Sequence, residues 1–238
     1  MTRRRWIADE LSGTRAFLIG AHAEHLSRVL RARVGQEFDI TTGNIVRRGR
    51  ITSIAQDRVE FELGDEIPAP VAGRVTVALS IFKFDRMEWA IEKCTELGAK
   101  RIVPVIARRT EPHLAAAAAK RVERWRRIAL QAAEQSRRVS PPEISEPLKV
   151  KEAVAISGSL RIVLSEVETD AILKDILQTH PDHRDVVLAL GPEGGWTDDE
   201  LKLFQEADWI SASLGNTILR AETAAIASLA VVLAELRA

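Results

Sequence analysis

The sequence predicts an α/β protein with two domains, a small β-rich unit followed by a larger domain built on a parallel sheet. Short segments in which apolar and polar residues alternate dominate the first 70 positions, as in half-buried strands. From Arg74 onward, apolar strand-like runs alternate with helix-like segments, which indicates a parallel sheet. Glu66 to Gly73 lies between the two patterns and is rich in Pro, Ala and Gly, which is typical of a linker. We therefore predict domains at residues 1–70 and 71–238.

The N-terminal domain is predicted to contain one short helix and several strands. The helix spans about His22 to Leu30, because Leu26, Val29 and Leu30 share one face. Thr42-Gly43-Asn44 is the expected hairpin turn. The strands are predicted near residues 38–42, 45–46, 50–54 and 58–63.

The C-terminal domain is predicted to be a parallel sheet with helices on both faces. Val186 to Leu190 is continuously apolar, as expected of a strand buried on both sides. Gly98 is expected to close the first helix of this domain. Further strands are predicted at 75–81, 102–106 and 161–164, and helices at 87–97, 114–135, 170–178 and 223–236.

The loop after Val186–Leu190 is the first candidate site. Gly191-Pro192-Glu193-Gly194-Gly195 holds three glycines, which permit tight bends or a ligand against the main chain. Thr197 and Glu200 then form a capping box that begins a helix. Ligands bind at the carboxyl ends of strands in open α/β sheets, so a ligand loop is indicated. An ordinary strand-to-helix turn is the alternative.

A second glycine-containing stretch, Ser213 to Ala225, precedes the last helix. Gly215 and Ile218-Leu219 are followed by Arg220 and Glu222, which stand at the mouth of an otherwise apolar helix. Charged groups in apolar surroundings need partners. The two residues therefore either pair with each other or serve a site, and for Glu222 a helix N-terminal charge is a further alternative.

Composition limits the class of protein. The single cysteine, Cys94, excludes an intramolecular disulfide, and no apolar run reaches about 18 residues, so we expect a soluble cytoplasmic protein without a membrane span. One cysteine and five scattered histidines show no ligand spacing, so no metal is expected. The glycine loop lacks the Lys-Ser/Thr of a phosphate-loop NTPase.

The net charge is zero, but the charge is unevenly distributed. Residues 100–138 contain 11 Lys/Arg and 3 Asp/Glu, a balance of +8, whereas residues 166–208 contain 3 Lys/Arg and 12 Asp/Glu, a balance of −9. The basic segment fits either a polyanion-binding face or a solvated helix face.

These motifs together resemble one known family. Gly-Pro-Glu-Gly-Gly after an apolar strand, followed at 214–224 by Leu-Gly-x-x-Ile-Leu-Arg-x-Glu-Thr-Ala, resembles the 16S ribosomal RNA uracil-N3-methyltransferases (the RsmE family) of the SPOUT superfamily. Lys83-x-Asp-Arg-Met-Glu-Trp, Arg109-Thr110 and Ala132-Ala-Glu-Gln-Ser resemble further motifs of that family, and His25-Leu-x-x-Val-Leu-Arg resembles its N-terminal RNA-binding domain. The resemblance covers nearly the whole chain.

The resemblance implies both a fold and an activity. The expected fold is an N-terminal PUA-like β-barrel followed by a SPOUT α/β methyltransferase domain with a C-terminal trefoil knot. The expected activity is S-adenosylmethionine-dependent methylation of N3 of a uridine in 16S ribosomal RNA of the small ribosomal subunit, by a homodimer. The expected cofactor-binding residues are Leu190, Gly191, Pro192, Gly194, Gly195, Leu214, Gly215, Ile218, Leu219 and Thr223.

Catalysis at N3 requires loss of a proton from a weak nucleophile. We expect Arg220 to stabilise the resulting anion or orient the base, with Glu193 and Glu222 as candidate general bases.

The sequence of the last helix also predicts a homodimer, independently of the resemblance. This helix is apolar nearly all round, with Leu229 at the middle of its main stripe. The expected RNA-binding residues are Arg4, Arg5, Arg28, Arg31, Lys83, Arg108, Arg109, Arg137 and Arg138.

The chain departs from the family pattern at three positions. Thr217 stands where arginine is common, Arg137 replaces a usual glycine, and Ser140 replaces a frequent basic residue. Two alternatives to the expected activity remain open at this point. One is a SPOUT methyltransferase acting on another RNA nucleotide, and the other is a non-catalytic RNA-binding protein of ribosome assembly.

Overall fold

The computed structural model describes residues 5–43, 45–68, 74–181 and 185–236. The chain divides into two compact units, one of residues 1–72 and 133–140 and the other of residues 73–132 and 141–238. Arg4, Asn44 of the predicted turn and residues 69–73 of the predicted linker lie outside the described residues.

The first unit is a six-stranded sheet in the order β1-β4-β5-β6-β3-β2. β1 pairs with β4 in parallel, and the remaining pairs are antiparallel. The strands are β1 (Arg5–Ile7), β2 (Glu10–Ser12), β3 (Arg15–Ile19), β4 (Glu37–Thr42), β5 (Ile45–Ile54) and β6 (Arg58–Ile67).

The first three strands were not predicted, and two predicted strands are in fact one. Residues 45–46 and 50–54 both belong to the ten-residue β5. Gly49 and the arginines beside it interrupt the apolar alternation, which is why the sequence pattern divides the strand. Gly49 is buried, and a Cβ there would collide with the side chain of Ile40 on β4. Glycine therefore permits close packing inside a continuous strand.

The predicted helix of this unit has the expected length but is less regular than expected. It consists of α1 (Ala21–Glu24), which continues into a single π-helical turn at His25–Val29. The His22 ring lies between two carboxylates, with Nδ1 2.9 Å from Asp9 Oδ1 and Nε2 3.6 Å from Glu134 Oε1. Burial raises the pKa of Glu134. These contacts join residues 133–140 to the rest of the first unit.

The second unit is built on a parallel sheet, which confirms the prediction from strand–helix alternation. The sheet order is β10-β8-β7-β12-β11-β13, and β9 also pairs with β8. Its strands are β7 (Val75–Ser80), β8 (Arg101–Ile106), β9 (Glu143–Ile144), β10 (Leu148–Lys149), β11 (Leu160–Leu164), β12 (Val186–Leu190) and β13 (Ile210–Ala212). Its helices are α2 (Phe84–Leu97), α3 (Pro112–Gln135), α4 (Val150–Ala153), α5 (Leu173–Thr179), α6 (Asp198–Glu206) and α7 (Ala221–Glu235).

β12 lies between β7 and β11, and all five of its residues are buried, as predicted. Leu188 and its neighbours at alternate positions pack into a core with residues of α2, α3, α5 and α7. Val187 and Ala189 face the other side, in a second core with residues of α4 and α6. The two cores cover both faces of the sheet, and the end of β12 emerges between them.

Helix boundaries differ from the predictions where capping signals are weak. Gly98 ends α2 in the left-handed conformation, with φ of 117°, as predicted. The helix starts three residues earlier than predicted, at Phe84 rather than Met87. Its N-cap residue is Lys83, whose side chain makes no capping hydrogen bond, so the sequence has no capping signal at this helix start. Along the parts of the chain that are described, no helix is long and apolar enough to cross a membrane.

Leu229 has a different environment from the one that the sequence pattern suggests. Ala225, Leu229 and Val232 of α7 are completely buried in the core of their own chain. Ile226 and Ala227 on the same helix remain partly exposed. Leu229 therefore stabilises the fold of the chain itself, and any surface offered by α7 to a second subunit must use other residues.

Arg137 adopts a backbone conformation that favours glycine. It follows α3 with φ of 59°, in the left-handed region. The Arg138 N–H donates to Ala133 O at 2.8 Å and the Arg137 N–H donates to Glu134 O at 3.2 Å. This pair of bonds is a Schellman motif, in which the Arg137 position is normally glycine. The arginine that replaces the family's usual glycine is therefore strained.

We predict that Arg137→Gly stabilises the protein. Removing Cβ relieves the left-handed strain, and the added freedom of glycine in the unfolded chain offsets part of the gain, so we expect about 0.5–1 kcal/mol. The measurement is the free energy of unfolding in urea. Arg138→Gly is the matched control, because Arg138 does not have a positive φ, and it should not stabilise. An unchanged or lower stability of Arg137→Gly would contradict the strain at this position.

Candidate functional site

A cleft of about 650 Å³ lies in the second unit, at the carboxyl ends of its central strands. Its walls come from the segments that follow β11, β12 and β13, together with Arg86 of α2. The Gly191–Gly195 loop and the Leu214–Leu219 loop are adjacent in this cleft although they are separated in sequence. The two glycine-containing stretches predicted to bind a ligand therefore belong to one cavity.

The Gly191–Gly195 loop is held by a side chain that follows it. Trp196 is buried, and its Nε1 donates to the carbonyl oxygen of Leu164 at 3.0 Å, at the end of β11. A Cβ on Gly191 would lie 3.3 Å from the same indole nitrogen. Gly195 has φ of 70°, and a Cβ on it would collide with the Glu166 carboxylate. The positive φ therefore favours glycine at position 195, and Gly191 is closely packed against the indole.

Arg109 braces the same loop from the outside. Its Nη1 donates to Gly194 O at 2.6 Å and to Trp196 O at 3.1 Å. The Arg108 N–H donates to Glu200 Oε1 at 2.7 Å. Glu200 also completes the predicted capping box with Thr197, which is confirmed at the start of α6. The predicted RNA contact of Arg109 thus involves a side chain that already holds the cleft wall in place.

The Leu214–Leu219 loop supplies unpaired backbone donors. It begins at Ser213, whose N–H donates to Ala171 O at 2.8 Å. Among the residues that the structure describes, none accepts a hydrogen bond from the amides of 214–219. Gly215 has φ of 114°, and the Ile218 side chain is 87% exposed. Free amides on the wall of a cleft are ready donors for a polar ligand.

Charged side chains of both signs line the cleft, namely Arg86, Glu166, Glu168, Glu193 and Arg220. Arg86 Nη1 lies 2.9 Å from Glu193 Oε1, and Arg86 Nε lies 3.8 Å from Glu222 Oε1. Glu222 is buried in the first turn of α7, and its Oε2 has no hydrogen-bond partner among the described residues. Arg220 lines the cleft, and its guanidinium makes no ion pair within the described ranges. The pairing of Glu222 with Arg220, one of the sequence-based alternatives, is wrong, because the cation beside Glu222 is Arg86.

The structure brings most, but not all, of the predicted ligand-binding residues to the cleft. Thr223 and Glu222 lie outside its walls, and Gly195 lies behind Glu166. The predicted residues that do line it are Leu190, Gly191, Pro192, Glu193, Gly194, Leu214, Gly215, Ile218, Leu219 and Arg220.

The predicted RNA-binding residues divide between the two units and differ in their surroundings. In the first unit, Arg28 pairs with Glu24 at 3.2 Å, and the Arg5 guanidinium donates to the carbonyl oxygen of Arg137. Burial lowers the pKa of Arg138. Those with exposed side chains are Arg28, Arg31 and Arg137 in the first unit and Lys83, Arg108 and Arg109 in the second.

Arg86 and Glu166 are cleft residues that sequence reasoning missed as site residues. Arg86 lies within the Lys83-x-Asp-Arg motif, so a signal was present, but nothing in the sequence showed its partners. Glu166 lies in a segment without a motif. Cys94 is buried in the core, and burial raises the pKa of its thiol to about 12. It is therefore a protonated core residue and not a nucleophile.

The described part of the chain contains no cluster of side chains suited to binding a metal ion. Across residues 5–43, 45–68, 74–181 and 185–236, no group of three or more His, Cys, Asp or Glu side chains could hold a metal ion. The cleft instead combines carboxylates, arginines, apolar side chains and free amides.

The chain is similar to RNA methyltransferases. A family model described as an RNA methyltransferase domain matches residues 68–233. The ribosomal RNA small subunit methyltransferase E of Mycobacterium tuberculosis is 37% identical over 93% of this chain and 87% of its own length. The protein of the same name from Rickettsia conorii is 31% identical over 88% of this chain and 85% of its own length.

A solved structure has the same fold. The ribosomal RNA small subunit methyltransferase E of Neisseria gonorrhoeae, bound to S-adenosyl methionine, superposes with a TM-score of 0.86 at 31% sequence identity. The alignment covers 98% of each chain.

The two adjacent loop glycines should respond differently to the same substitution. Gly195→Ala places a Cβ against the Glu166 carboxylate at a positive φ, so we expect a loss of about 1–3 kcal/mol in the free energy of unfolding. A Cβ on Gly194 would meet only the side chain of Arg109, at 3.3 Å, which can move. Gly194→Ala should therefore cost much less. Equal losses in urea unfolding would show that Gly195 is not held against Glu166.

Proposed function

The chain belongs to the RNA methyltransferase family that includes the ribosomal RNA small subunit methyltransferases E, and we propose that it methylates N3 of a uridine in 16S ribosomal RNA. It is an S-adenosylmethionine-dependent ribosomal RNA methyltransferase. The observation that carries the proposal is the cleft at the carboxyl ends of β11, β12 and β13, where two glycine-containing loops meet beside a carboxylate and a free arginine.

The residues of the cleft fit S-adenosylmethionine. A volume of about 650 Å³ is in the range of small-molecule sites. The unpaired amides of 214–219 would bind the polar groups of the cofactor, and Leu190, Leu214 and Leu219 offer apolar contact for its ring. Gly191 and Gly194 let the main chain approach the ligand. When bound, S-adenosylmethionine supplies a methyl group on a positively charged sulfur.

Glu193 is proposed as the general base. N3 of uridine carries a proton, and its electron pair becomes a nucleophile only when that proton leaves. Glu193 lines the cleft, and its Oε2 has no partner among the described residues. The carboxylate takes the N3 proton, and the electron pair stays on the nitrogen. The cofactor would supply the methyl group to that nitrogen, with the bond from methyl carbon to sulfur breaking and its electron pair leaving on the sulfur of S-adenosylhomocysteine. The target base must be unpaired or flipped out, because N3 is on the Watson–Crick edge.

Arg220 is proposed to stabilise the negative charge that forms on the base. Its guanidinium is unpaired and lines the same cleft as Glu193, so it is available to a carbonyl oxygen of the deprotonated uracil. A fixed positive charge placed where negative charge develops lowers the barrier without reorganisation.

The finer architecture is also part of the proposal. The six-stranded, mostly antiparallel sheet of the first unit supports a PUA-like RNA-binding domain over residues 1–70, with Arg5, Arg28 and Arg31 as phosphate contacts. A trefoil knot within 71–238 is proposed from the family resemblance alone.

The function is tested by its product and by one variant. We expect the wild-type protein to bind S-adenosylmethionine in calorimetry and to form N3-methyluridine in small-subunit RNA, detected by mass mapping. Glu193→Gln should keep cofactor affinity and lower kcat by about 100-fold or more, because a general base is worth that much. Cofactor binding without any methylated nucleotide, on free RNA and on assembled subunits alike, would overturn the proposed reaction. A modified nucleotide other than N3-methyluridine would favour another target, and absence of cofactor binding would favour the assembly protein.

A homodimer is proposed on the exposed side of α7 and α2. Trp89 of α2 is 47% exposed, which is high for a tryptophan, and Ile226 of α7 is partly exposed. α7 is apolar on nearly every side, so its own core cannot cover all of it. A two-fold pairing through this face would cover these residues in a second copy of the chain.

Two substitutions on α7 separate the dimer from the core. Ile226→Glu should leave a folded protein that sediments as a monomer at micromolar concentration, where the wild type sediments as a dimer. Leu229→Glu buries a charge in the core of the chain and should unfold it instead. A wild-type monomer in sedimentation would end the dimer proposal, and unfolding by Ile226→Glu would place Ile226 in the core.

A further inference from the structure

Arg86 joins three separate segments of the second unit. It lies on α2, and its two partners are Glu193, in the loop after β12, and Glu222, in the first turn of α7. Nη1 is 2.9 Å from Glu193 Oε1, whereas Nε is 3.8 Å from Glu222 Oε1. A single guanidinium therefore lies between two carboxylates through different nitrogens.

The two carboxylates are not equivalent. The Glu193 side chain is 34% exposed and lines the cleft, whereas that of Glu222 is 7% exposed and lies outside the cleft walls. A carboxylate in so little contact with water needs a cation nearby. Arg86 is the cation that faces it among the described residues, at the 3.8 Å separation of an ion pair, so each charge stabilises the other. A base must reach the substrate, and the position of Glu222 does not allow this.

We propose that Arg86 is the positioning residue for the base Glu193, and that Glu222 is the buried anchor that holds Arg86. This inference rests on the proposed function, and it assigns different roles to two carboxylates that the sequence could not distinguish. Arg86 holds Oε1 of Glu193 and leaves Oε2 to accept the N3 proton. The arrangement aligns the base before RNA binds, which reduces the entropy lost in reaching the reactive geometry.

The shape of arginine is essential to this role. A guanidinium presents donors in a fixed plane, so Nε and Nη1 can face two acceptors at once. A lysine ammonium is a point charge at the end of a flexible chain, so it holds two carboxylates less rigidly than a planar guanidinium does. Arg86→Lys therefore retains the charge and loses the alignment.

Other charged side chains share the cleft with Glu193, and Glu168 is one of them. Arg220 and Glu166 line the same cleft, and Arg109 contacts the neighbouring Gly194. They remain in place in every variant below, so the comparison between variants isolates Arg86.

The experiment measures methyl transfer by the full-length protein in wild type, in the single variants Arg86→Gln, Arg86→Lys, Glu193→Gln and Glu222→Gln, and in the double variants Arg86→Gln/Glu193→Gln and Arg86→Gln/Glu222→Gln. We expect Arg86→Gln to lower kcat by about 10- to 100-fold, as misplacement of a reactive group does, with KM for RNA and the Kd for S-adenosylmethionine within about twofold of wild type. Arg86→Lys should restore only part of kcat, because it keeps the charge and loses the planar donor geometry.

The double variant gives the sharpest result. If Arg86 acts through Glu193, Arg86→Gln should change kcat little once Glu193 is already glutamine. Glu222→Gln should likewise lower kcat in the wild-type background and have little effect on the Arg86→Gln variant. Full multiplication of the Arg86→Gln and Glu193→Gln effects, or a change confined to KM for RNA, would each overturn the proposal. A wild-type protein that binds no cofactor and transfers no methyl group would instead refute the function itself.

Discussion

The hydrogen bond from Trp196 Nε1 to the Leu164 carbonyl is the interaction on which the shape of the cleft depends. It ties the loop after β12 to the end of β11, so the loop must turn back on itself within five residues. That turn leaves no room for a side chain at Gly191, beside the indole, or at Gly195, beside Glu166. Glycine is therefore favoured in this loop for two reasons. Packing favours it at Gly191 and Gly195, and Gly191 and Gly194 border the cleft. A buried bond to a backbone acceptor also fixes the indole itself.

The sequence predicted this region well because its signals are local. A continuously apolar strand, three glycines and the Thr197–Glu200 capping box lie within fifteen consecutive residues, and each depends on near neighbours. Arg86 shows where such prediction ends, since its partner Glu193 is 107 positions away. No periodicity or spacing links residues at that distance. The N-terminal strands were missed for a related reason, because three-residue strands such as β1 and β2 are too short for an alternation to be recognised.

Charge counted along the sequence overstated the basic surface of residues 100–138. Several of these arginines and lysines pair with acids elsewhere in the second unit. Arg124 binds Glu88 through two nitrogens, at 2.6 and 2.8 Å, and Lys100 lies 3.2 Å from Asp185. Paired surface charges add little stability, but they reduce the net field that a polyanion would meet. The arginines without such partners are the better candidates for phosphate contact, and they are fewer than the segment's balance of +8 suggests.

Arg137 and Arg86 each lower the stability of the folded protein, but for different physical reasons. Arg137 adopts a left-handed backbone that glycine would accept freely, so its cost lies in the main chain. The cost at Arg86 lies in desolvation, because it shares a partly enclosed site with a buried carboxylate. Natural proteins retain such costs mainly where a side chain is needed for function. Under the proposed role of Arg86 the needed feature is the planar guanidinium, which faces Glu193 and Glu222 through different nitrogens. At Arg137 the structure shows the strain and an exposed guanidinium, which fits a role in contacting phosphate.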